Sequence, residues 1–173
     1  MRHDRASVYV RRRAAAQSGR RRTMMFEDVV ELLGRRLGVE LPADEGVCRI
    51  DVDGMAVEIH EIEEIGGFCI LGEIGDLPPL NAESVMNALL MANHLFRGTG
   101  GATISRDPDT GRLFLCRYER LDLLDGDGVT EMFSKFVDTL EVWRDTVANF
   151  HAEDEKNADR GFSALERMPM VDG

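Results

Sequence analysis

Residues 77–120 read LPPLNAESVMNALLMANHLFRGTGGATISRDPDTGRLFLCRYER, and this stretch decides the fold. Pro78-Pro79 interrupts regular structure, and Asn81 is a good N-cap for the run that follows. That run, Asn81 to Phe96, carries Val85, Met86, Leu89, Leu90, Ala92, Leu95 and Phe96, an apolar surface wider than one buried stripe needs. The pattern predicts a helix buried on more than one side and central to the fold, its second face able to meet its own copy in a symmetric oligomer. Gly98-Thr99-Gly100-Gly101 stops the helix. Two apolar strands then follow, Ala102 to Arg106 and Arg112 to Arg120, joined by the turn residues Asp107-Pro108-Asp109-Thr110-Gly111.

On the N-terminal side, Phe26, Val29, Val30, Leu33 and Leu37 recur at spacings of three and four, with Glu27, Asp28 and Glu31 early and Arg35 and Arg36 late. Charges in that order suit a helix dipole, and Gly38 ends the helix. Its single stripe places it on the outside of a sheet. Val47 to Val52 and Met55 to His60 alternate around Asp53-Gly54, a strong hairpin signal. Cys48, Ile50 and Val52 share one strand face, as do Met55, Val57 and Ile59. Phe68 to Ile74 is apolar on both faces, as suits a central strand or a face left open for a ligand. On the C-terminal side Asp127 is placed to cap a helix whose stripe runs Val129, Met132, Phe133, Phe136, Val137, Leu140, Trp143 and Val147. The expected fold is α+β: helix, three strands, helix, two strands, helix, in one domain over residues 24–150 with an antiparallel twisted sheet and flanking helices. Residues 151–173 are acidic, lack periodicity and read as a flexible tail.

Charge is divided unevenly. Residues 1–23 hold eight Arg and a single acid, Asp4, for a net of +7, so the rest of the chain carries −18 of the total −11. Residues 1–23 read as a disordered basic leader; the abrupt change of composition at Met24-Met25 also fits a start at one of those residues, and a nucleic-acid arm or a transit-like peptide is the other reading of the segment. A body of that sign repels nucleic acid and anionic membrane and attracts basic or neutral polypeptide. Cys48, Cys69 and Cys116 sit apart in apolar strand runs with no CxxC pair, which reads as buried reduced thiols. The sequence has neither an apolar run long enough for a membrane helix nor a secretory h-region.

A search for catalytic chemistry finds little. His60 with Glu58, Glu61, Glu63 and Glu64 is the one dense His/carboxylate cluster, but strand alternation splits Glu58 and His60 from Glu61, so a solvated acidic hairpin end explains it better than a metal site. Asp122, Asp125 and Asp127 lack the ligand order of a calcium loop, and Gly98 to Gly101 lead into a strand and cradle no phosphate. Ser84, Ser105, Ser134 and Ser163 have no nucleophile-elbow setting. A small acidic fold with surplus apolar surface and no enzyme chemistry, cofactor or metal points instead to binding polypeptide, by strand addition or in a groove.

The element order, Leu32-Leu33-Gly34, Leu37-Gly38, the Cys48–Ile59 hairpin, Leu77-Pro78, the Leu89-Leu90-Met91-Ala92-Asn93-His94-Leu95-Phe96 run and Thr99-Gly100-Gly101-Ala102 together resemble the class I type III secretion chaperones of the CesT (Tir chaperone) type over about Met25 to Phe150. The resemblance implies a cytoplasmic bacterial homodimer without enzymatic activity. It also implies binding to the N-terminal segment of a secreted effector, which stays soluble and secretion-competent until release at the secretion ATPase. Carried over by position, the dimer contact falls on Val85, Leu89, Asn93, Phe96 and Ala102 to Ile104. The effector grooves fall on Phe26, Val29, Val30, Leu33, Ile50, Val57, Ile70 and Leu115. Two other readings stand beside this one: a regulatory or folding-factor module of the same fold outside secretion, and a metal or enzyme site at His60.

Overall fold

The computed structural model describes residues 24–165; the basic leader and residues 166–173 lie outside the described residues. The chain runs α1 (Phe26–Leu37), β1 (Ala43–Asp44), β2 (Val47–Val52), β3 (Met55–Ile62), β4 (Gly67–Gly75), α2 (Ala82–Asn93), β5 (Thr103–Arg106), β6 (Leu113–Arg120) and α3 (Gly126–Leu165). Three single-turn 3-10 segments, Glu63–Ile65, His94–Phe96 and Leu121–Leu123, link them. The α+β order matches the pattern read from the sequence, with the two-residue β1 added. All strands pair antiparallel in the order β1-β2-β3-β4-β6-β5, so α2 carries the chain across to start a second hairpin beyond β6.

Turn chemistry sets the register. Asp53 and Gly54 both have positive φ, 53° and 79°, and Gly54 N–H donates to Asp51 Oδ1 at 3.0 Å, closing the β2–β3 hairpin with Val52 opposite Met55. Asp107 N–H donates to the Arg112 carbonyl at 2.8 Å, and Asp107 Oδ1 accepts from Asp109 N–H, also at 2.8 Å, closing β5–β6. With that register fixed, period-two alternation divides the sheet into two unlike faces. The inner face, including Cys48, Ile50, Val57, Ile59, Phe68, Ile70, Leu113 and Leu115, is buried. On the outer face, Arg49, Ala56, Glu58, His60, Cys69, Leu71, Phe114, Cys116 and Tyr118 are all at least partly exposed.

The central helix is α3, not α2. Val129, Met132, Phe133, Phe136, Leu140 and Val147 lie along one face of α3, which packs on β4 and α1. Leu140 comes so close to the sheet that a Cβ on Gly72 would lie 2.4 Å from its Cδ2, so the glycine admits the helix. The cap of α3 is Asp125, whose Oδ1 accepts from Gly128 N–H at 2.9 Å; Asp127, expected in that role, lies inside the helix. The helix also continues to Leu165, past Phe150, where the apolar stripe ends and the sequence reads as a flexible tail. Good helix formers and a helix already nucleated below account for the extension.

In contrast, α2 buries only Val85 and Leu89, near the β5 end of the sheet. It stops at Asn93, earlier than the apolar run suggests. Leu95 and Phe96 then take left-handed backbone conformations, φ 55° and 56°, a geometry costing roughly 1–2 kcal/mol per residue. The bend is held from several sides. Gly98 N–H donates to Ala92 O, Trp143 Nε1 donates to Gly98 O at 2.8 Å, and the buried Thr99 hydroxyl donates to Ala102 O at 2.6 Å.

Candidate polypeptide-binding site

The eight side chains assigned to effector grooves, Phe26, Val29, Val30, Leu33, Ile50, Val57, Ile70 and Leu115, all lie in the core of the single chain, none more than 5% exposed. Their periodicity is that of core packing, and of the eight Val30 also lines a surface groove. The other large apolar residues of that groove, Val39 and Leu41, fall in the loop after α1, where no periodicity marks them.

The groove, of about 550 Å³, lies between α1 and the segment leading into β1, lined by Val30, Gly34, Val39, Leu41 and Ala43. Glu27, Glu31 and Glu40 give it an acidic rim, with Arg35 the one basic residue among those lining it. The groove exists because of how α1 ends. Gly38 takes φ 72°, its N–H bonding Gly34 O, and Val39 N–H bonds the same carbonyl at 3.0 Å, folding the chain back along the helix. A Cβ on Gly34 would sit 2.8 Å from Val39 O, so the backbones approach closely only because residue 34 is glycine. The groove opens beside β1, the edge strand at that end of the sheet.

The opposite edge, β5, is closed differently. Asn93 donates from Nδ2 to Ile104 O at 3.0 Å and accepts at Oδ1 from Ile104 N–H at 2.8 Å, a side chain standing in for a seventh strand. Of the residues assigned to a dimer contact, Val85, Leu89, Ala102 and Ile104 are buried within the single chain, Asn93 is engaged with that edge, and Phe96 and Thr103 face solvent. What α2 presents outward is Leu90 at 65% exposure, Met91 at 67%, Leu95 at 67% and Phe96 at 54%. Large side chains this open, grouped on one helix and its terminal turn, form an apolar patch of the kind that marks an interaction surface.

His60 Nε2 lies 2.8 Å from Glu58 Oε2, and Arg49 Nε donates to Glu58 Oε1 at 2.9 Å. Burial would raise the Glu58 carboxyl, but these two partners outweigh it and hold the group below its ordinary range. The three cysteines are free, and burial pushes each thiol up, away from the reactive thiolate form. Among the described residues no group of three or more His, Cys, Asp or Glu side chains is arranged to hold a metal ion, and no helix is long and apolar enough to cross a membrane.

The model of the Tir chaperone protein (CesT) family matches residues 28–144, from α1 into α3. The chain belongs to this family. No curated protein matches it by sequence. Among solved structures, the CesT-family chain is similar to one in the HopA1–SchA chaperone–effector complex, with TM-score 0.60, 14% identity, and coverage of 69% of this chain and 93% of that one. The ExsC–ExsE complex gives TM-score 0.59 at 16% identity, covering 69% and 90%. The ExoU–SpcU complex from the type III secretion system of Pseudomonas aeruginosa gives 0.53 at 23%, covering 71% and 94%. At these identities the likeness is one of fold: this family member shares its α+β architecture with chains solved in those complexes.

Proposed function

We propose that this protein is a cytoplasmic chaperone that binds the N-terminal segment of a type III secreted effector and holds it soluble and competent for secretion. The carrying observation is the α1–β1 groove: an apolar floor with an acidic rim beside an edge strand whose outward backbone groups can pair with an extended chain. Family membership and the chaperone–effector complexes among the fold relatives support the same reading. The chain acts by binding alone, without catalysis, and the client leaves at the secretion ATPase. Two copies associate through the outward face of α2, where Leu90, Met91, Leu95 and Phe96 of each copy bury one another.

The test uses the full chain as bait in its native cytoplasm, with the mass of the recovered complex read by light scattering. Two copies per partner, bound through the partner's N-terminal region, is the expected result. Val39→Asp, on the exposed lip of the groove, should keep the fold by circular dichroism and weaken partner binding at least tenfold, about 1.4 kcal/mol. Unchanged binding by that variant would remove the groove from the mechanism.

A further inference from the structure

At the foot of α1, where the described chain begins, lies a second cleft of about 620 Å³. Met24, Met25, Ile65 and Leu121 give it an apolar floor, and Met25 and Ile65 are more than half exposed, at 52% and 55%. Glu27, Glu61 and Glu63 stand around it. Glu61 and Glu63 also line an adjoining hollow of about 360 Å³ with Glu45, Gly46 and Glu64. The cation at the cleft, Arg120, is already committed, donating from Nε and a terminal guanidinium nitrogen to Asp122 at 2.8 and 2.7 Å. Among the described residues, none of the carboxylates of Glu27, Glu45, Glu61, Glu63 and Glu64 has an ion-pair partner. Burial, followed by the like charges of Glu27 and Glu63, raises the Glu61 carboxyl.

Met24 is a wall of this cleft and also the residue at which the +7 leader joins the body. Arg20-Arg21-Arg22 lie within four residues of it, a span of at most about 14 Å fully extended. A tether that short puts three guanidinium groups near the carboxylates at an effective concentration on the order of millimolar, before any contact energy is counted. Arginine suits both parts of the surface, since its aliphatic stem covers apolar side chains while its head reaches carboxylates. We propose that the cleft at the foot of α1 is the docking site of the chain's own arginine-rich leader, with Arg20, Arg21 and Arg22 folded back over Met25 and Ile65 onto Glu61, Glu63 and Glu64. The docked leader covers open apolar surface and neutralises the acid beside it.

The experiment exploits the scarcity of lysine, present only as Lys135 and Lys156. In the full chain carrying R21K, a carbodiimide joins the new ammonium to a carboxylate in contact with it, forming an amide with loss of water. Peptide mass spectrometry then locates the bond. Coupling concentrated on Glu61, Glu63 or Glu64 is expected, with a yield independent of protein concentration. That yield should fall roughly fivefold between about 0.05 and 1 M NaCl as the screening length shrinks from over 10 Å to about 3 Å. Adding E61Q, E63Q and E64Q should abolish it. Coupling scattered over remote acids such as Asp138 and Glu141, coupling that rises with protein concentration and so joins two copies, or no coupling at all would each overturn the proposal.

Discussion

Helices α1 and α2 are both twelve residues long, and the less apolar of the two is the better buried. In α1 the apolar side chains keep to one stripe, and Phe26, Val29, Val30 and Leu33 are all inside. At roughly 1.5–3 kcal/mol for each fully buried side chain, that stripe fastens the helix to the fold. In α2 the apolar residues spread around the circumference, two are buried, and Leu90 and Met91 face solvent. Neither greasiness nor a wide apolar circumference therefore located the centre of the molecule, which is the singly striped α3. A helix apolar on two sides has one apolar face left uncovered by its own chain.

The sharpest way to break that comparison uses two adjacent residues of α2. Leu89→Asp puts a carboxylate into the core of the single chain and should cost ~3–5 kcal/mol, seen as loss of the folded state in urea. Leu90→Asp, one position on and exposed, should leave unfolding within about 0.5 kcal/mol of the parent while disrupting the proposed α2 pairing, read as a shift of sedimentation to monomer. If Leu90→Asp destabilised the chain as Leu89→Asp does, or left a dimer intact, the division of α2 into an inner and an outer face would be wrong.

A smaller effect tests how α2 meets the sheet. Asn93→Ala removes both hydrogen bonds to Ile104 and leaves the β5 edge open, a loss of about 1–3 kcal/mol. Faster amide exchange should appear at Ile104 and not at Ile50, which sits far across the sheet. Exchange unchanged at Ile104 would mean that the edge does not depend on Asn93.

The smallest lies on the sheet's own uncovered face. Glu58 titrates below its ordinary value of 4.5, so the stability it contributes is present above that pH and is lost as pH falls through the lowered value. Glu58→Gln should change urea stability at pH 7 by no more than ~1 kcal/mol and make its decline toward acid shallower. An acid limb identical to the parent's would show that His60 and Arg49 lend this carboxylate nothing.

Most of the architecture was legible because its signals are local. Asp53-Gly54 fixes a turn type through two positive φ angles, and the stripe from Val129 to Val147 fixes a helix face through spacing alone. The site was much less legible. The positions carried over from the family resemblance are largely the ones with strong apolar periodicity, and periodicity is the mark of a core. Val39 and Leu41 line the groove because Gly34 lets two backbones approach, a tertiary fact with no periodic trace. The cap of α3 was misplaced by two residues because Asp125 and Asp127 are equally good cap residues and only the backbone path separates them.

The order of synthesis gives the position of α3 a further meaning. The meander β1 to β4 and the β5–β6 hairpin pair between neighbours in the chain and can form as they emerge, yet the layer that dries the inner face of the sheet is made after all six strands. Until Val129 to Val147 have left the ribosome, Phe68, Ile70 and Leu115 have no α3 to lie against, and the nascent chain carries wet the same kind of surface that aggregates in incomplete folds. A chaperone of other chains is itself incomplete until α3 has been made.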